Sequence, residues 1–225
     1  MYDLLTGPLF VFAAAVCVLG LLVRIIWYVR GLDWQIDRVA YTQYPWAGIK
    51  GAVRSILHWI IPYASSNWRL KPFFTLIFFV FHIGILLVPL FLEGHLVILE
   101  QRLGISWPAI PMPVADFFTL AVLVAGGFIL VRRFALPEVR ILTSTYDVLL
   151  LLLTLAPFFT GYLAVKSAAG YNAWLIAHII CGEILLLAIP FTKLSHVVMF
   201  FMTRIQIGMD FGIKRGGRKG RGLVW

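Results

Sequence analysis

The sequence predicts an all-α fold, a polytopic membrane helix bundle with five transmembrane helices. Three observations predict it. The chain of 225 residues is 61% hydrophobic and only 13% charged, with a mean hydropathy of +0.93. Five apolar stretches approach or exceed the roughly 20 residues that a helix needs to cross the hydrocarbon layer. Basic residues gather at alternate junctions between those stretches. A soluble chain of this length would need far more polar surface.

The spans are expected at residues 5–28, 73–93, 113–131, 146–165 and 173–201. Arg24 and Arg30 follow the first apolar run and no basic segment precedes it, which reads as a retained helix rather than a signal peptide. Pro72 opens the second span, Pro108, Pro111 and Pro113 precede or open the third, and Pro137 precedes the fourth, as helix boundaries require. Between the first two spans lies the long loop, residues 31–72. Its segment WAGIKGAVRSILHWIIPY predicts a short amphipathic helix, with Lys50 and Arg54 on the polar side and Trp59, Ile60 and Ile61 toward the interface. Trp27, Tyr28, Trp107, Tyr171 and Trp174 fall at span ends, where an aromatic belt is expected. Residues 1–225 read as a single integral membrane domain.

Of the 19 Lys and Arg residues, only Arg102 and Lys166 fall beside one set of junctions; the rest flank the loop 31–72, the loop between spans three and four, and the tail 204–225. The positive-inside rule then makes the N-terminus periplasmic and the C-terminus cytoplasmic in a cell inner membrane. The net charge of +9 accordingly speaks of topology and lipid headgroups, not nucleic acid. The basic tail is either a membrane anchor or a docking element for a cytoplasmic subunit. Neither side of the membrane has room for a catalytic domain, so the chain is not a complete enzyme alone.

Four of the five histidines lie in two apolar segments. An ionisable ring is costly in lipid and marks function there by default. His178 and His196 are eighteen residues apart, about five full turns and roughly 27 Å on one face of an ideal helix. His82 and His95 are thirteen apart, about 20 Å, with a net rotation of about 220° that a straight helix would not place on one face. Pro89 can kink that helix and Gly94 can loosen its end. With the two spans antiparallel, the depth-matched pairs are His82 with His196 toward the cytoplasm, and His95 with His178 toward the periplasm. Facing imidazoles in a helix bundle are axial haem ligands. No CxxCH motif is present, so two non-covalent, b-type, bis-histidine haems are expected. The alternative is four histidines bonded to nearby carbonyls or lining a polar cavity.

Other residues carry weaker signals. Cys17 and Cys181 read as core packing. His58 reads as an interfacial packing or hydrogen-bonding histidine. Glu183, five residues past His178, reads either as an interhelical hydrogen-bonding group or as a proton or quinone group. Lys193, beside His196, either pairs a haem propionate or snorkels. Glu93 and Asp116 stand where protons from a quinol could be accepted, with menaquinone as the quinone formed.

The run His178, Gly182, Pro190, Phe191, Thr192, Lys193, Leu194, His196, with FHIG at Phe81 to Gly84, resembles the b-type cytochrome (gamma) subunit of the respiratory nitrate reductase family. The longer histidine spacing in HIGILLVPLFLEGH, the opening MYDLLTGPL, and the segments EVRILT and APFFTGYLA are more similar to the relative in the sulfate reducers' transmembrane high-molecular-mass cytochrome c (Hmc) complex. That resemblance implies five spans, two bis-histidine haems, and electron transfer across the membrane between periplasmic multihaem cytochrome c or the quinone pool and iron–sulfur proteins, one of them cytoplasmic, with other membrane subunits as partners. The family places a quinol-site lysine near the start of the third span, where this chain has Asp116 and no lysine. A quinol-oxidising anchor of a nitrate reductase-like or heterodisulfide reductase-like enzyme is the competing reading.

Overall fold

The computed structural model describes residues 2–32, 44–167 and 170–214, the last three by their backbone alone. Every regular element among them is helical. Five helices are long and apolar enough to cross a membrane: α1 (Tyr2–Arg30), α4 (Pro72–Phe91), α6 (Met112–Ala135), α8 (Thr145–Lys166) and α9, whose span reaches from Tyr171 to Phe191. The remaining helices are α2 (Pro45–Ile60) and α3 (Ser66–Leu70) in the long loop, α5 (Glu93–Leu103), the single turn α7 (Pro137–Arg140) and α10 (His196–Lys214). The expected amphipathic helix is α2, but Trp59, expected toward the interface, packs instead against Trp68 and beneath Arg204. Arg38 and the tail from residue 215 onward lie outside the described residues.

Two expectations about helix continuity are corrected. The fifth span does not run unbroken through residue 201. After Ala188 the chain tightens into a 3-10 turn, Ile189–Phe191, extends at Thr192 (φ −119°, ψ −176°), and makes a second 3-10 turn, Lys193–Ser195, before α10 begins. Pro190 has no N–H to give to the carbonyl four residues back, so the α-helical ladder fails there, and the Thr192 hydroxyl accepts instead from the Leu194 amide at 3.2 Å. His178 and His196 therefore sit on different helices, and the five-turn register does not apply. Likewise α4 does not carry both of its expected histidines. It passes through Pro89, ends at Phe91, and turns at the extended Leu92 (ψ 130°), so His95 belongs to α5.

The chain divides into two compact units, one made of residues up to Cys17 with Ile77–Ala188, the other of Val18–Leu76 with residues from Ile189 on. In the first unit α4, α6 and α8 share a core of Phe81, Val88, Val122, Ala125, Leu151 and Phe158. Lipid is as apolar as these side chains, so close packing rather than water exclusion holds such helices together. Small residues allow it: a Cβ on Gly84 would run into the Val122 side chain, and one on Gly126 into that of Leu155. Ser144 and Asp147 form a capping box that starts α8. Arg102 of α5 donates through Nε to the Thr6 carbonyl at 3.0 Å, satisfying a backbone acceptor in the π-helical turn Leu5–Leu9.

In the second unit α2 packs its face of Gly48, Gly51, Ala52 and Ser55 inward. There α10 comes so close that a Cβ on Gly208 would lie 2.5 Å from the Gly51 carbonyl. The Arg204 guanidinium sits 4.3 Å from the Trp59 ring centre, a cation–π contact. Arg24 donates to the Pro190 carbonyl at 2.8 Å, and Tyr28 hydrogen-bonds Gln206.

Candidate functional site

The end of α4 explains where His95 points. A helix leaves its last four carbonyls without intrahelical donors, and here each has another. The Val88 carbonyl takes the Leu92 amide (3.0 Å), Leu90 takes the Trp107 indole N–H (2.8 Å), and Phe91 takes the Ile110 amide (2.9 Å). Pro89, the fourth, takes Nδ1–H of His95 at 3.1 Å. The break at Leu92 thus frees the carbonyl that orients the ring.

His178 is held in the same way from a different helix. Its Nδ1–H donates to the Pro157 carbonyl of α8 at 2.7 Å. Gly161, one turn beyond, gives the ring its place: a Cβ there would lie 2.8 Å from Nδ1. With both Nδ1 atoms donating, each neutral ring keeps its lone pair on Nε2. The two Nε2 atoms face each other 3.5 Å apart. The rings are nearly parallel, 7° between planes, with centres 5.8 Å apart. Both are half-buried. Burial first, and the neighbouring His178 second, push the His95 pKa below the ordinary imidazole value, which favours the neutral, ligating form.

Two acceptors facing each other make no hydrogen bond. The arrangement suits a Lewis acid between them, since two imidazole–metal bonds of about 2.0–2.1 Å span about 4 Å. Among the described residues no group of three or more His, Cys, Asp or Glu side chains gathers to hold a bare ion. A two-imidazole donor set fits an iron whose other ligands come from a macrocycle. The surroundings leave room: a Cβ on Gly94, next to His95, or on Gly182, one turn past His178, would meet no atom within 4 Å.

His82 and His196 belong to different units. His82, on α4, bonds through Nδ1 to the Phe78 carbonyl at 2.8 Å and lies against the Phe78 ring with centres 4.0 Å apart. His196 opens α10, is exposed, and bonds through Nδ1 to the Lys193 carbonyl at 2.9 Å. Both rings are fixed in the tautomer that leaves Nε2 as the acceptor, as metal-ligating histidines are. His58 makes the same bond, to the Arg54 carbonyl at 3.0 Å, so the bond alone does not distinguish a ligand; the facing partner does. Lys193 is exposed in the 3-10 turn and supplies the His196 acceptor from its backbone.

Asp116 is engaged by Lys166, 2.8 Å between Nζ and the carboxylate. Glu183 is buried, and its Oε1 has no hydrogen-bond partner among the described residues. Cys17 and Cys181 are free thiols. Pro157 and Gly161, which orient and accommodate the His178 ring, are site residues that sequence reasoning did not single out, and Pro89 was expected only as a kink, not as the acceptor that orients His95. The signal for the first two stood in the chain: a proline and a glycine four residues apart in a membrane helix, APFFTGY, bring a proline carbonyl and a gap onto one face.

No protein-family model and no solved structure matches the chain. It is similar to a protein of Nitratidesulfovibrio vulgaris strain Hildenborough, described simply as "Protein", with 54% identity over 226 residues and the whole of both chains aligned. At that identity and coverage, the chain belongs to the same protein family as its Nitratidesulfovibrio relative.

Proposed function

We propose that the chain is a dihaem cytochrome b subunit that carries electrons across the cytoplasmic membrane within a larger respiratory complex. The carrying observation is the His95–His178 pair, whose facing Nε2 atoms stand 3.5 Å apart with both Nδ1 atoms anchored on proline carbonyls. These two residues hold one b-type haem. His82 and His196 hold the other, a pairing that rests on their matched depth in the sequence. Haem iron supplies one-electron redox chemistry when bound; the chain supplies orientation, neutral ligands and an apolar wall. Lys193 provides a counter-charge for a propionate. The charge pattern supports a periplasmic N-terminus and a cytoplasmic C-terminus in the inner membrane. The resemblance to the nitrate reductase gamma subunit and the Hmc cytochrome b supports periplasmic multihaem cytochrome c, further membrane subunits and iron–sulfur proteins, one cytoplasmic, as partners. A pyridine haemochrome assay on purified protein is expected to give about two b haems per chain. A count near zero would overturn the proposal.

One observation favours a quinol-oxidising anchor as the second reading. Glu183 is 6% exposed, lies in the span that bears His178, and leaves Oε1 unpartnered among the described residues, as a group that takes up a quinol proton would. Menaquinol analogues separate the readings: rapid haem reduction that is lost in Glu183→Gln supports quinol oxidation, while reduction by cytochrome c alone supports transmembrane transfer.

A further inference from the structure

The two faces of α2 are chemically opposed. One carries Gly48, Gly51, Ala52 and Ser55 and is buried. The other exposes Trp46 (80%), Ile49 (49%), Val53 (50%) and Leu57 (46%). At 100° per residue these four fall within an arc of about 80°, and Lys50 and Arg54 border it on one side. Together these six side chains line much of an open groove of about 660 Å³. Neither cation has an acidic partner among the described residues.

The position of the helix fixes what meets that face. Trp59 of α2 packs edge-on against Trp68 of α3, ring centres 5.5 Å apart, and the Trp68 carbonyl accepts from the buried Thr75 hydroxyl at 2.8 Å. Thr75 is in the first turn of the α4 span. These contacts tie α2 to the start of the α4 span, which brings an exposed apolar stripe within reach of a bilayer surface.

We propose that this face of α2 is a binding site for anionic phospholipid, with acyl chains along Trp46, Ile49, Val53 and Leu57 and the phosphate at Lys50 and Arg54. An apolar stripe bordered by cations on one side complements an amphiphile whose charge is at one end. An acidic peptide would meet the cations and leave the stripe uncovered. The site is independent of haem content. Two basic residues near the surface favour anionic over zwitterionic lipid by roughly tenfold or more.

The test uses the full chain in nanodiscs of mixed phosphatidylcholine and phosphatidylglycerol, with brominated acyl chains on one lipid or the other. Subtracting the emission of Trp46→Phe from that of the parent protein isolates Trp46. Brominated phosphatidylglycerol is expected to quench Trp46 several-fold more per molecule than brominated phosphatidylcholine, and the double variant Lys50→Gln/Arg54→Gln to bring that ratio to one. Equal quenching in the parent protein, or none by either lipid, overturns the proposal. Native mass spectrometry gives a readout that does not depend on the Trp46 variant: phosphatidylglycerol retained through delipidation should be lost in the double variant, and undiminished retention there overturns the site as well.

Discussion

The ring of His178 lies where a methyl on Gly161 would project. Gly161→Ala must therefore push the imidazole away from its Pro157 acceptor and from His95. The expected outcome is loss of about half the haem with the protein still inserted, measured by haemochrome content and redox difference spectra. His178→Ala should do the same outright, because no neighbouring Ile or Leu can stand in for an imidazole. His196→Ala should remove the other haem and spare the first. Retention of both haems in either alanine variant would contradict the pairing. At this scale the four histidines were legible, since a titratable ring in an apolar run is costly enough to stand out. The groups that aim them were not, because all four acceptors are carbonyls that every residue possesses, and for His95 and His178 only the three-dimensional end of α4 or the closeness of α8 to α9 makes a particular one available.

Between elements, α10 comes close against α2 at Gly208 in the second unit. Gly208→Ala would place a methyl against the Gly51 carbonyl and the Ala52 backbone, neither of which can rotate aside. A cost of about 1–3 kcal/mol is expected for such overpacking, seen as a lower melting temperature and faster proteolysis within α2. The haem proposed at His95 and His178, residues of the first unit, should be retained. Span existence was readable from hydropathy, and so was the amphipathic α2. Helix continuity was not. Pro190 sits in an unbroken apolar run, which hides a boundary that costs a hydrogen bond, and the break near His95 falls at Leu92, which carries no sequence signal of its own. Pro89, the expected kink, stays inside α4.

For the whole molecule, the proposed orientation makes a direct claim about sidedness. A C-terminal green fluorescent protein fusion is expected to fluoresce and a C-terminal alkaline phosphatase fusion to be inactive; the opposite pair of results would invert the topology and with it the assignment of haems to membrane faces. The His95–His178 anchoring bears on how the whole family can diverge. Both Nδ1 protons rest on main-chain oxygens, and no point substitution deletes a carbonyl. A chain of this family, in which sequences differ at nearly half of the aligned positions, could replace either proline and still hold the imidazole tautomers, provided it keeps both histidines and the path of the backbone. For the proposed site, inheritance would then be a matter of chain trajectory: two histidines and a small residue are the letters it needs, while their alignment is passed on through backbone shape, out of reach of any comparison made letter by letter.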